Sequence, residues 1–286
     1  LQVSPDWRSA WVGNFNLHGD MVPSSVSVVD LGPPSAATSS APAATEADGG
    51  MAEIARITTC AMPHGSRLTA DGARHYSACM MDEALVEIDA RTLAVSRHFL
   101  LTKGAERGVA GPLPTRDAAH AGHDMSGHGM APAAPGDRTC SPTWAQPSPD
   151  GRRVWVACNR TSDVVEIDAA AWTVTRRLPF GDGVYNLAVT RDGRTLVGTN
   201  KRGRSVSVVD VATGRERARI PTLRRVVHGV AISPDDRYAF VTVEGIGSEP
   251  GTLEVIDLAA GTRVASADVG SMAGGVDVWK VTEPAR

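Results

Sequence analysis

The sequence predicts an all-β protein made of repeated four-stranded units. A short module recurs five times, and each copy opens with a turn centred on an aspartate: Asp6, Asp71, Asp150, Asp192 and Asp235. In the middle three copies a second aspartate follows 18 residues later, at Asp89, Asp168 and Asp210. The outer copies close at Asp30 and Asp257 after 24 and 22 residues, so each carries a small insertion. A fixed internal period of this kind is typical of stacked repeat architectures.

The third module shows what the unit contains. After its aspartate turn, β-branched and aromatic runs occupy residues 154–158, 163–168 and 172–178, separated by turn residues. A further apolar run precedes each aspartate turn, as at residues 184–189. Each unit therefore supplies four antiparallel strands, designated a to d, and no run of helical period competes with them. Four-stranded modules that bury their faces against their neighbours describe a β-propeller.

The amino-acid sequence of the repeat resembles that of a known family. The third module reads Ser-Pro-Asp-Gly-Arg-Arg-Val-Trp-Val-Ala (148–157) and then Asp-Val-Val-Glu-Ile-Asp (163–168). These residues resemble the YVTN-type repeat of the YncE-like bacterial secreted propellers, and the resemblance covers nearly all of the chain outside two inserts. It implies a seven-bladed ring and leaves the activity open, because this scaffold hosts many unrelated functions.

Five modules and a final apolar run at 274–279, predicted as a sixth strand a, are recognisable in the chain. The first residues, Leu1-Gln-Val-Ser-Pro-Asp, are the tail of a strand a. We therefore expect a seven-bladed relative that lacks about two N-terminal modules. The alternatives are a smaller closed ring and an open blade edge that receives a partner.

Composition limits the classes of partner. The formal charge of −3 over 286 residues provides no basic field for nucleic acid and no polybasic membrane signal. The sequence contains no apolar run long enough to span a membrane, and it begins without Met or a signal peptide. We expect a processed protein that is periplasmic or secreted.

Two inserts interrupt the single propeller domain predicted over residues 1–286. Residues 32–50 form an Ala/Ser/Pro-rich loop between strands c and d of the first module. Residues 104–138 lie between strand d of the second module and strand a of the third. The second insert is rich in histidine and methionine.

This second insert carries the most specific chemical signal in the chain. Three imidazoles and two thioethers fall within eleven residues: His120, His123, Met125, His128 and Met130. Soft and borderline ligands of these types favour copper, especially Cu(I), while imidazole coordination of Cu(II) or zinc stays open. The competing interpretation is a polar loop that holds these residues by chance.

Blade topology predicts that further ligands share a face with this insert. The a–b and c–d turns lie at one end of a blade, here called the turn face, and the b–c and d–a connections lie at the other, here called the loop face. The loop face is expected to carry additional copper ligands at His18, Met21, Met62, His64 and His228. An alignment of the modules places His64, Trp144, Asn186 and His228 at the mouth of the central channel. His75 and His98 fall inside strands and are predicted to be structural.

The four cysteines are spaced as two equivalent pairs. Cys60 and Cys79 stand 11 before and 8 after Asp71, and Cys140 and Cys158 stand 10 before and 8 after Asp150. This spacing predicts disulfides Cys60–Cys79 and Cys140–Cys158, each across one hairpin, and hence an oxidising compartment. The rival interpretation is thiolate coordination of copper, with Met62, His64, Met80 and Met81 beside the first pair.

We expect an exported copper-binding protein that sequesters, delivers or senses the metal. One alternative is a scaffold that binds a protein on the histidine- and methionine-bearing face or at an open blade edge. Another is a hydrolase or oxidoreductase that uses a channel metal held by Glu244, Asn186 and Asn159. The sequence contains no nucleophile elbow, phosphate loop or His-Glu-x-x-His motif.

Overall fold

The computed structural model describes residues 1–15, 22–32, 51–114 and 136–278. Within these ranges the chain is all-β, with five antiparallel sheets and no helix. Blade 1 contains β1 (Gln2–Val3), β2 (Ser9–Gly13), β3 (Pro23–Asp30) and β4 (Ala52–Ala61). Blade 2 contains β5 (Pro63–Leu68), β6 (Arg74–Cys79), β7 (Ala84–Asp89), β8 (Ala94–Leu100) and β9 (Arg107–Ala110).

The other three blades have four strands each, and in every blade the strands pair in chain order. Blade 3 contains β10 (Pro142–Pro147), β11 (Arg153–Cys158), β12 (Asp163–Asp168) and β13 (Thr173–Pro179). Blade 4 contains β14 (Val184–Val189), β15 (Thr195–Asn200), β16 (Ser205–Asp210) and β17 (Glu216–Pro221). Blade 5 contains β18 (Val226–Ile232), β19 (Tyr238–Glu244), β20 (Gly251–Asp257) and β21 (Thr262–Val269).

The repeated aspartate has the same structural role in all five a–b turns. Its carboxylate accepts a hydrogen bond from a serine or threonine hydroxyl two residues earlier, and from the backbone N–H two residues later. In blade 3 the Ser148 hydroxyl lies 2.5 Å from Asp150. The hydroxyl hydrogen bond is the main cause that lowers the pKa of Asp150. The repeat is therefore conserved among the modules as a turn, which is the ordinary use of these residue types.

Apolar layers between neighbouring blades form the core. Strands b and c of blade 3 are buried on both faces, which explains their nearly continuous apolar sequence. Trp155 and Val164 of that blade pack against Leu187 and Leu196 of blade 4. Similar layers join blades 1 and 2, blades 2 and 3, and blades 4 and 5. Five sheets stacked in this way are the blades of a β-propeller.

Two details of the architecture differ from the prediction. The chain does not leave blade 2 after strand d: residues 107–110 pair with β8 and add β9 as a fifth, outermost strand. The predicted sixth strand a is not a strand over its described part, 274–278. No neighbouring strand in the described ranges forms a ladder with it, and it is held instead by contacts such as Thr242 Oγ1 to the Gly274 carbonyl at 3.2 Å.

Both predicted disulfides are present, and no described cysteine is free. Cys140–Cys158 ties the entry of strand a to the end of strand b in blade 3, as expected. Cys60, however, lies in β4, so Cys60–Cys79 links blade 1 to blade 2 and does not close a single hairpin. The correction arises because β4 continues to Ala61, beyond the end that the apolar pattern suggested. Paired in this way, the four sulfur atoms are not thiolate ligands.

The described residues include no helix long and apolar enough to cross a bilayer.

Candidate functional site

Four equivalent side chains form an arc at the mouth of the central channel. His64, Thr143, Tyr185 and His228 each stand seven residues before the aspartate of their own a–b turn. Each falls where the register between strands a and b shifts by a β-bulge. A bulge redirects the side chain that it carries. Blades 2 to 5 therefore present these four residues at the same level of the loop face.

This geometry corrects the alignment made from the sequence. Trp144 and Asn186 follow the arc by one residue, and Thr143 and Tyr185 are the true equivalents of His64 and His228. The physical reason is the bulge, which absorbs a residue at a point that the apolar pattern does not reveal. A count back from each turn aspartate would have identified Tyr185.

His64 is held in a defined tautomer. Its Nδ1 lies 2.7 Å from the Thr143 carbonyl oxygen, and its Nε2 lies 2.7 Å from the Tyr185 hydroxyl. Because a carbonyl oxygen only accepts, Nδ1 carries the proton, and Nε2 accepts the hydrogen bond donated by Tyr185. Burial lowers the pKa of His64 to about 4. The ring is therefore neutral at pH 7, with its lone pair on Nε2.

Tyr185 connects the two histidines. Its ring centroid lies 5.1 Å from that of His64 and 4.8 Å from that of His228, both edge to face. The Lys201 ammonium stands 4.2 Å from the centroid of the same ring, a cation–π contact. Burial raises the pKa of Tyr185, so its hydroxyl stays protonated and acts as a donor.

His228 is also neutral at pH 7. Burial and the positive charge of Lys201 lower its pKa to about 4. Its Nε2 lies 3.6 Å from Glu244 Oε1, which is too long for a hydrogen bond. The two side chains are 25% and 18% exposed, so the mouth remains open to solvent on this side. Glu244 ends β19 and brings a carboxylate to this side of the arc.

The remaining predicted ligands divide into two groups. Met62 lies between β4 and β5 with 3% of its surface exposed and a backbone φ of 55°, so its side chain belongs to the interior. Its role as a ligand stays a prediction. The others lie outside the described residues: His18, Met21, His120, His123, Met125, His128 and Met130.

The two strand histidines have the structural positions expected of them. His75 is fully buried in β6 and stacks on Trp11 with ring centroids 4.9 Å apart. His98 is buried in β8, where its Nδ1 lies 2.9 Å from the Gly111 carbonyl oxygen.

The described residues alone do not complete a metal centre. Across the ranges that the structure describes, no group of three His, Cys, Asp or Glu side chains is close enough to hold an ion. Among the residues suggested for a hydrolase, the amide of Asn159 is already occupied by Gly183 O at 3.0 Å and by Arg202 at 3.0 Å. The arc thus offers two neutral imidazoles around a tyrosine, to which other ligands would have to be added.

A second concave surface lies on blade 5, beside the segment that follows β21. A groove of about 570 Å³ is lined by residues of β20, β21 and the segment that follows, including Leu253, Val269 and Ala273. Met272, which also lines it, is exposed. A protein partner at an open blade edge stays a prediction.

Comparisons with known proteins support the fold and leave the family open. No family model and no curated protein matches the chain. Among solved structures, hydrazine synthase from Kuenenia stuttgartiensis superposes with a TM-score of 0.55 and 18% identity over 73% of this chain. The chain spans about half, 49%, of the length of that protein. At this identity the likeness shows the propeller fold alone.

Proposed function

We propose that this chain is an exported, YncE-like propeller that binds copper on its loop face and sequesters, delivers or senses the metal. The ligands are the imidazoles and thioethers of the second insert, together with His64 and His228 at the channel mouth. The observation that carries the proposal is that both neutral histidines contact Tyr185: His64 through a hydrogen bond and His228 through a ring contact. Imidazole and thioether together suit Cu(I), and imidazole alone suits Cu(II).

The tautomer of His64 supports metal binding. A histidine that ligates a metal generally donates its other ring N–H to a carbonyl or carboxylate, which fixes the ring and raises ligand basicity. His64 already makes this bond to Thr143, so Nε2 is the ligating atom. A copper ion would bind the lone pair of His64 Nε2 in place of the hydrogen bond from the Tyr185 hydroxyl.

Protonation also favours binding at neutral pH. A metal ion must compete with protons for an imidazole lone pair. The pKa values of His64 and His228 are both lowered to about 4, chiefly by burial. Neither ring therefore needs to lose a proton to bind copper at pH 7.

The flank of the insert supports a shared face. Asp137, just beyond the histidine- and methionine-rich residues, accepts a hydrogen bond from Arg160 in the b–c turn of blade 3. The Arg138 carbonyl accepts one from Lys103 N at 2.9 Å. The described end of the insert therefore lies at the loop face, and its described start contributes β9 to the outer edge of blade 2.

The disulfides support export. All four cysteines are paired, and structural disulfides persist mainly in oxidising compartments. We therefore place the protein in the periplasm or outside the cell.

Copper titration tests the proposal. Cu(I) would be titrated against a chromophoric competitor with ascorbate as reductant, using wild type and the triple variant His120→Ala, His123→Ala, His128→Ala. We expect the triple variant to bind at least about 100-fold more weakly, since even outer-shell changes cost 10- to 100-fold. The matched control is Met51→Ala with Met272→Ala, because both thioethers are exposed, 73% and 81%, and are not proposed ligands. Equal affinity of the triple variant and wild type would remove the insert from the site and favour the protein-scaffold alternative.

A further inference from the structure

One half-buried arginine lacks the carboxylate that its counterparts have. Eight arginines in the described ranges are partly buried. Seven of them pair with an aspartate or glutamate within 4.0 Å: Arg97, Arg160, Arg176, Arg177, Arg202, Arg224 and Arg263. Arg67, the eighth, has no such partner among the described residues. Its guanidinium donates one hydrogen bond there, a long one of 3.3 Å to the neighbouring Ser66 carbonyl.

Arg67 faces the central channel. It lies in β5, three residues deeper than His64, and its guanidinium carbon stands 4.7 Å from the ring centroid of Trp144 in blade 3. Burial lowers the pKa of Arg67, and the charge of Asp277, which follows blade 5, partly opposes this effect. Blade 3 packs against one side of blade 2, whereas Asp277 lies beside the first residues of blade 1, which packs against the other side. A group that interacts with both must face the axis of the ring.

A second donor beside Arg67 is also unused. The indole Nε1 of Trp144 is buried without a hydrogen-bond partner among the described residues. The buried indole N–H of Trp144 is unfavourable without an acceptor. The N–H groups of half-buried Arg67 beside it, which make only the bond to Ser66 among the described residues, can bind the same acceptor. Asp277 does not supply this acceptor, because it is exposed and its carboxylate lies more than 4.0 Å from the Arg67 guanidinium. Its Oδ1 accepts a hydrogen bond from Val278 N instead.

The same chain contains the completed arrangement. In blades 2 and 3, Arg97 stands 3.9 Å from the ring centroid of Trp172, and Glu87 receives its guanidinium through two hydrogen bonds of 2.9 and 2.6 Å. The Arg67–Trp144 pair repeats the stacking and omits the carboxylate. An external anion would occupy the position that Glu87 fills for Arg97.

We infer that the channel at Arg67 binds a small oxyanion, either a carboxylate or a phosphate, through the guanidinium fork and the Trp144 indole N–H. The planar fork of arginine matches two oxygens of such a ligand, which a lysine cannot do. The site requires no metal and is independent of the proposed copper function.

The test uses the full chain, free of metal, in chloride-free buffer of low ionic strength. Acetate and inorganic phosphate would be titrated separately, with tryptophan fluorescence and calorimetry as readouts. We expect binding of at least one anion, which identifies the ligand class. Arg67→Gln should weaken it about 10- to 100-fold, the usual loss for charged hydrogen bonds. Arg67→Lys keeps the charge without the planar fork, so its affinity for the anion should lie between those of wild type and Arg67→Gln.

Two further variants complete the design. Asp277→Asn should tighten binding, because a competing negative charge is removed from the site. Arg194→Gln is the control, since Arg194 is 84% exposed and remote from the channel arginine in sequence and blade, and it should bind as wild type does. The inference is overturned if wild type binds neither anion, or if Arg67→Gln binds as tightly as wild type while its unfolding curve is unchanged.

Discussion

Replacement of Glu166 by alanine is expected to lower the free energy of unfolding by about 3–5 kcal/mol, the usual cost of removing one partner from a buried ion pair. Glu166 is almost fully buried in β12. Its carboxylate accepts hydrogen bonds from Trp155 Nε1 at 2.9 Å, Thr175 Oγ1 at 2.8 Å and Arg176 Nη2 at 2.9 Å. Without it, the indole N–H of Trp155 would be left without its acceptor, and Arg176 would keep its backbone carbonyl partners but lose its counter-charge.

Urea unfolding at pH 7 measures this effect. The control is Glu216→Ala, because Glu216 pairs with Arg219 on the surface and should change stability by less than about 1 kcal/mol. A loss for Glu166→Ala no larger than that of the control would show that the buried network does not stabilise the blade.

Glu166 should also make the free energy of unfolding depend on pH. Burial raises the pKa of Glu166, but the hydrogen bonds from Arg176, Thr175 and Trp155 outweigh it and hold the pKa below its usual value. A carboxylate with a lowered folded pKa contributes stability that is complete above the unfolded pKa and is lost as the pH falls through the folded one. In wild type we expect this contribution to disappear as the pH falls below about 4.3, the unfolded value, whereas Glu166→Ala should lack it.

Loss of either disulfide is expected to cost about 3 kcal/mol in the chain-entropy model. The sequence separations are 19 for Cys60–Cys79 and 18 for Cys140–Cys158, so the two closed loops are nearly equal. Paired alanine variants, Cys60→Ala with Cys79→Ala and Cys140→Ala with Cys158→Ala, should therefore unfold at similarly lower urea concentrations. Alanine is preferred because all four positions are buried and a serine hydroxyl would be left without a partner.

Reductant supplies the control for this prediction. It should destabilise wild type by more than it destabilises either paired variant, and a thiol assay in denaturant should find free thiols in wild type only after reduction. Four reactive thiols before reduction would contradict the disulfide assignment and restore the thiolate alternative for copper.

The sequence allowed the architecture to be predicted because the turns repeat. The aspartate of each a–b turn marks a hydroxyl–carboxylate turn of fixed geometry, and the buried strands b and c read as continuous apolar runs. The cysteine pairing followed from the same count. The repeat pattern did not predict β9 as a fifth strand or the blade to which Cys60 belongs, and it wrongly predicted a sixth strand a at 274–279.

The site was predicted less completely than the fold. The sequence identifies His64 and His228 but not Tyr185, because the apolar pattern does not show the bulge and the alignment is therefore one residue off in blades 3 and 4. Lys201 follows a strand b whose sequence shows no chemical motif, and only the cation–π contact with Tyr185 reveals it. The sequence does not reveal Arg67. Its lack of a carboxylate partner emerges only when the distances from each arginine to the nearest carboxylate are compared.

In the proposed function, the mouth histidines and the insert act together in binding copper. The most direct measurement is the ¹⁵N NMR spectrum of the imidazole nitrogens during a Cu(I) titration at pH 7. We predict that both mouth histidines are neutral before metal is added, with the proton of His64 on Nδ1. The Nε2 signals of His64 and His228 should then shift with the same stoichiometry as signals from His120, His123 and His128. Shifts confined to the insert histidines, with His64 and His228 unchanged at saturation, would contradict the account.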